Sequence, residues 1–118
     1  MVKLKYAPGR PVLPKGTGMQ SISVKDLAAL GDATEIVDVR EEDEFAAVRV
    51  PGARSIPLSR FVQSLAEVPA SGTVYVMCAA GGRSAKATAY LEDQGYDAVN
   101  ITGGIMQWQD EGHPVNRG

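Results

Sequence analysis

From Ser21 onward the chain alternates short apolar runs with stretches of helical spacing. Ser21-Ile22-Ser23-Val24 predicts a short strand, and Lys25–Leu30 a helix that stops at Gly31. Glu35-Ile36-Val37-Asp38-Val39 reads as a buried strand. An acidic helix over Glu41–Val48 follows, its first-turn carboxylates complementing the helix dipole. Pro51-Gly52 marks a turn, and Arg54-Ser55-Ile56-Pro57-Leu58 an extended segment whose proline suits an edge strand. Ser59 is placed to cap a helix over Arg60–Glu67, ended by Pro69. Thr73–Met77 is the clearest strand, and Ser84–Gln94 a helix whose Ala85, Ala87 and Ala89 allow close packing before the stop at Gly95. Ala98–Ile101 gives a last strand, and Gly103-Gly104 turns into a final helix over Ile105–Glu111.

Strands alternating with helices predict an α/β fold: a parallel sheet with helices on both faces. In such sheets ligands bind beyond the carboxyl ends of the strands, and Cys78 follows the clearest strand directly. Composition agrees with one small domain, since 118 residues with 44% hydrophobic and 22% charged side chains build a core without metal or disulfide. One cysteine cannot form an internal disulfide, and no apolar run approaches the roughly 20 residues that span a bilayer. Met1–Tyr6 lacks the apolar stretch of a signal peptide, so a cytoplasmic location is expected.

Charge divides the chain in two. Residues 1–20 carry Lys3, Lys5, Arg10 and Lys15 and no acid, a balance of +4 that leaves −6 on residues 21–118 from the net −2. The prolines and glycines of this head break periodic structure, so residues 1–20 are expected as a flexible basic leader ahead of a domain over 21–118. Four charges with the single aromatic Tyr6 among them give little reason to expect nucleic acid or membrane as a partner.

The candidate chemistry is concentrated at Cys78-Ala79-Ala80-Gly81-Gly82-Arg83-Ser84. A loop of small residues leaves backbone N–H groups free to point inward, and the helix that follows adds unpaired donors and a positive dipole end. Arg83 supplies a guanidinium suited to an oxyanion or a polysulfur anion, the alternative being that it only pairs with a carboxylate. These groups favour the thiolate, the reactive form of cysteine. The bland reading of a lone cysteine is a small buried hydrophobe, but burial alone needs no Gly-Gly-Arg-Ser after it. Lys86 either adds positive potential or is a solvated helix residue, Trp108 is read as core, and His113 as a solvated tail residue.

Asp38-Val39-Arg40, Glu44-Phe45, Pro51-Gly52-Ala53 and Ile56-Pro57-Leu58, followed by Cys78–Ser84, Gly95-Tyr96, Gly103-Gly104-Ile105, Trp108, Gly112 and Pro114-Val115, resemble a rhodanese domain in order and spacing. The resemblance covers about residues 20–116. It implies a five-stranded, mostly parallel sheet and a sulfurtransferase in which Cys78 carries sulfur as a persulfide. Ala79, Ala80, Gly81, Gly82, Arg83 and Ser84 would form the loop that holds it, and Asp38 and Arg40 a structural polar pair nearby. It implies no metal and no cofactor, a monomer, and as partners thiosulfate, cyanide, thiols or a sulfur-relay protein. Four residues separate Cys78 from Arg83, whereas cysteine phosphatases place five there, so the shorter ring favours a single sulfur over phosphate. A non-catalytic binding module is the other alternative. Two departures bear on the substrate. Val48-Arg49-Val50 stands where many members have Gly-His-Ile, and Ala79 and Ala80 are neutral where thiosulfate users often carry basic residues. Weak use of thiosulfate is therefore expected.

Overall fold

The structure, a computed structural model, describes residues 19–118, so the expected leader lies outside the described residues apart from Met19 and Gln20. Seven strands and four α-helices follow in the order β1 (Ser21–Ser23), α1 (Val24–Ala29), β2 (Glu35–Asp38), α2 (Glu42–Ala47), β3 (Val48–Arg49), β4 (Arg54–Ser55), β5 (Thr73–Met77), α3 (Gly82–Asp93), β6 (Asp97–Thr102), α4 (Gly104–Asp110) and β7 (Asn116–Arg117). Five strands form one sheet in the order β1-β6-β5-β2-β4, and every pairing in it is parallel. The α/β expectation holds, including a parallel sheet with five strands.

Parallel strands buried on both faces read as near-continuous apolar runs, and β5 and β6 show why. Val74 and Val76 of β5 point to one face with Val37, Val39 and Ala98, where Ala87 and Leu91 of α3 and Phe61 cover them. Met77, Ile36 and Ile101 point to the other, against Val24 and Leu27 of α1 and Ile105 and Trp108 of α4. Period-2 alternation in the strands thus feeds two separate cores. Cys78 belongs to the α3 side. The connection leaving β2 runs to β4 on one side and that leaving β5 to β6 on the other, the switch point at which such sheets form a crevice beyond the strands' carboxyl ends.

Three expectations need correction. The helix foreseen over Arg60–Glu67 is two 3-10 turns, Leu58–Arg60 and Leu65–Glu67. Ser59 does not cap it; its hydroxyl donates to Glu41 Oε1 at 2.7 Å. Phe61 and Val68 are both sunk in the core, and the backbone between them breaks at Ser64 (φ −102°, ψ 15°), so regular α-geometry gives way to two anchors on a short return path. The acidic helix ends at Ala47, one residue early, because Val48 and Arg49 turn extended and pair antiparallel with Asn116 and Arg117.

Candidate active site

The loop after β5 is shaped from behind by α4. The N–H of Ile105 donates to the Cys78 carbonyl at 2.9 Å, and that of Met106 to the Ala79 carbonyl at 3.0 Å. Two carbonyls are thereby turned outward, and the peptide N–H groups that follow face the sulfur. Gly104 makes the approach possible. It sits at φ +57°, and a Cβ there would collide with the Cys78 and Ala79 carbonyls. Gly104 is thus explained by the cysteine loop, whereas Gly103, at φ +82°, is required by the helix it opens, where a Cβ would meet Gln107.

Inside the ring, Gly81 N–H donates to Cys78 Sγ at 3.1 Å, and Ser84 Oγ lies 3.4 Å from the sulfur. Ser84 is fully buried, and its hydroxyl also reaches Asn100 Oδ1 at 2.6 Å and the Gly81 carbonyl at 3.1 Å. Burial pushes the Cys78 thiol up. The Ser84 hydroxyl and the N–H groups of Ser84, Gly81 and Ala80 outweigh it, leaving the thiol below its ordinary value. The balance fits a thiol that is only 1% exposed yet lined by donors on its open side. The sulfur is both a core atom and a hydrogen-bond acceptor.

Arg83 is held by a carboxylate. Its Nη1 and Nη2 donate to Glu44 Oε1 and Oε2 at 2.8 and 3.0 Å, a two-pronged pair spanning 39 positions. The Arg83 guanidinium, aided by the Glu41 N–H, holds the Glu44 carboxyl down at about 2. Glu44 in turn pushes Arg83 up. Of the loop residues singled out in the sequence, Ala80, Gly81 and Ser84 meet the sulfur through backbone or hydroxyl, whereas Arg83 is occupied by a carboxylate.

Asp38 and Arg40 form a second, hidden pair beside β2. Arg40 Nε donates to both Asp38 oxygens at 3.1 Å, Nη2 to Asp38 Oδ2 at 2.8 Å and to the Val48 carbonyl at 2.6 Å, and Nη1 to the Glu44 carbonyl at 3.2 Å. Arg40 therefore ties the end of β2 to the carboxyl end of α2, where unpaired carbonyls gather. Both residues touch the scaffold, not the sulfur.

Other candidates lie elsewhere. Lys86 is exposed on α3. Arg49 folds back on α2, donating to the Ala46 carbonyl and resting 5.9 Å from the Phe45 ring centroid. His113 is not a solvated tail residue: its ring leans on Trp108 at 4.7 Å and meets Glu111 at 3.2 Å. Trp108 is buried as expected and donates to the Pro114 carbonyl at 2.7 Å. α4 separates this cluster from the cysteine, because its first turn touches the loop and its last turn carries Trp108. A groove of about 260 Å³ between Leu27, Ile36, Trp108 and His113 belongs to that far end and does not include Cys78. Asn100 was not singled out in the sequence. Its signal was a polar residue near the carboxyl end of an otherwise apolar parallel strand.

Among the described residues, no helix is long and apolar enough to cross a membrane. Residues 23–111 match the model of the rhodanese-like domain family. A sulfurtransferase of Allochromatium vinosum is 37% identical over 81 residues, which cover 68% of this chain and 76% of that protein. A rhodanese-related protein from Thermoplasma volcanium is similar in structure with a TM-score of 0.79 at 33% identity, over 82% of this chain and 97% of its own. A rhodanese-like domain protein from Staphylococcus aureus follows at a TM-score of 0.74 and 39% identity, covering 80% and 95% respectively. With its parallel sheet, its cysteine at the end of β5 and a family match over most of its length, this chain belongs to the rhodanese-like domain family.

Proposed function

We propose that the protein is a sulfurtransferase that carries sulfane sulfur as a persulfide on Cys78. The observation that carries this reading is the cradle of backbone N–H groups and the Ser84 hydroxyl in contact with one sulfur, with the thiol below its ordinary value although it is buried. A structural cysteine in an apolar core would be pushed the other way.

In the first step the Cys78 thiolate attacks the outer sulfur of a donor, forming an S–S bond as the donor's own bond to that sulfur breaks. With thiosulfate the departing group is sulfite; with a persulfide it is the parent thiolate. The bond pair leaves with that group, and the outer sulfur stays on Cys78 as a persulfide anion or its protonated form. In the second step an acceptor nucleophile, such as cyanide or the thiolate of a small molecule or a sulfur-relay protein, attacks the outer sulfur and regenerates the Cys78 thiolate. Backbone donors from Ala80, Gly81 and Ser84 stabilise the Cys78 thiolate that opens the first step and is regenerated in the second. Two displacements through a covalent intermediate predict ping-pong kinetics. At 1% exposure Cys78 meets a donor at a terminal atom, which is where sulfane sulfur sits.

Treating the reduced protein with a sulfur donor and measuring intact mass tests this reading. A gain of one sulfur that disappears on adding cyanide, and is absent from Cys78→Ser, is expected. No gain with thiosulfate or with a small-molecule persulfide would move the domain into the class of non-catalytic binding modules.

A further inference from the structure

We propose that Glu44 sets the donor class of the Cys78 site by cancelling the charge of Arg83, so that the site favours persulfide donors and discriminates against the thiosulfate dianion. This inference rests on the sulfur-transfer reading above.

Arg83 is the only basic residue between Cys78 and Ser84. It stands close enough to Cys78 for a thiolate there to raise its affinity for the proton, yet both prongs of its guanidinium are taken by Glu44. Glu44 is itself fixed from other sides. Its Oε1 accepts the Glu41 N–H at 2.9 Å, and its carbonyl accepts Arg40 Nη1 at 3.2 Å. A carboxylate anchored in this way does not swing aside at low cost to free Arg83 for a substrate. Ala79, Ala80, Gly81 and Gly82 add no charge.

The neighbouring turn is acidic as well. Glu41, Glu42, Asp43 and Glu44 run consecutively. Arg60 meets Glu42 at 3.1 Å, and Ser59 meets Glu41 at 2.7 Å without adding charge. With the Asp38–Arg40 pair and Arg49 counted, five carboxylates stand against four guanidiniums on the α2 side of the loop, and the attacking thiolate adds one more negative charge. A thiosulfate ion brings two negative charges to this site and finds no uncommitted cation within the loop itself, where the free donors are peptide dipoles. A persulfide delivers the same sulfane sulfur with at most one charge at the reacting end. Glu44 is thus a positioning residue: it touches Arg83, not the sulfur.

The test compares sulfur loading from thiosulfate and from cysteamine persulfide, with cyanide as acceptor, in the wild type, Glu44→Gln and the double variant Glu44→Gln/Arg83→Met. Freeing one positive charge beside a dianion should lower KM for thiosulfate and raise kcat/KM about tenfold, for charges some 7 Å apart in a largely aqueous dielectric. The value for cysteamine persulfide should stay within about twofold, and the thiosulfate gain should shrink at high salt and vanish in the double variant. Equal losses with both donors, or an unchanged ratio between them, would overturn the proposal and leave Glu44 a strut. Should Glu44→Gln not fold, the wild type alone decides. Its kcat/KM for thiosulfate should rise with ionic strength as repulsion is screened, while that for cysteamine persulfide does not, and the absence of that difference overturns the proposal. If neither donor places sulfur on Cys78 in any form of the protein, the sulfur-transfer reading itself fails and takes this inference with it.

Discussion

Two arginine–carboxylate pairs flank the crevice, with the same chemistry in opposite surroundings. The Arg40 and Asp38 side chains are 4% and 0% exposed, and Arg40 spends its remaining donors on the Glu44 and Val48 carbonyls. Those of Arg83 and Glu44 are 36% and 35% exposed. Removing one partner of a buried pair strands a charge away from water, whereas an open pair is solvated when broken. The first pair therefore fixes architecture, and the second is free to be used for charge control near the sulfur. Glu44 joins them, its carbonyl serving Arg40 and its carboxylate serving Arg83.

Breaking the hidden pair gives the largest effect. Arg40→Ala should lower unfolding free energy by about 3–5 kcal/mol, measured by urea denaturation at pH 7, because Asp38 is left buried and unpaired. A loss near that of an exposed pair would erase the distinction. Gly104→Ala comes next: left-handed strain plus collision with the two loop carbonyls should cost about 2–4 kcal/mol and suppress sulfur loading on Cys78 in intact-mass measurements. Arg83→Met should lie at the other extreme, within about 1 kcal/mol of wild type, since its pair is more than a third exposed.

Acid sharpens the same contrast. Glu44 titrates at about 2 in the folded protein against an ordinary 4.5, so the unfolded chain binds the extra proton first as pH falls. The stability this carboxylate contributes is fully present above about pH 4.5 and is lost as pH drops through the folded value near 2. Denaturation midpoints of wild type and Glu44→Gln should therefore differ at pH 7 and converge by pH 2. The smallest shift concerns the thiol. Alkylation of Cys78 should reach half its maximal rate below the pH of an unperturbed thiol, and Ser84→Ala should move that point upward by removing the leading favourable contact.

What the sequence displayed and what it hid follow one physical division. β2, β5 and β6 were legible because strands buried on both faces need unbroken apolar runs, and α3 because alanines and Gly95 bound it. The Cys78 loop was legible as a small-residue turn between a strand and a helix. Hidden features all depend on distant partners. β3 and β7 are two residues each and pair across the chain, too short for any period to show. The 58–67 segment has helical spacing, but the need to anchor both Phe61 and Val68 broke it into 3-10 turns. Arg83 was open to an anion or a carboxylate, and the sequence did not show which carboxylate because Glu44 lies 39 positions away in another helix. Asn100 was masked by the apolar strand that carries it.

Since α4 clamps the cysteine loop through main-chain carbonyls, the ring's shape is dictated largely from outside, and beyond Gly81 at φ +114° and the buried Ser84 it makes little demand on the side chains of the ring. Ala80 and Gly82 are exposed, Ala79 is half-exposed, and a Cβ on Gly82 would meet nothing within 4 Å. These positions form a mutable collar on a constant frame. Descendants of such a domain, natural or selected in the laboratory, can exchange charge and bulk there to suit new sulfur donors without having to reinvent the nucleophile.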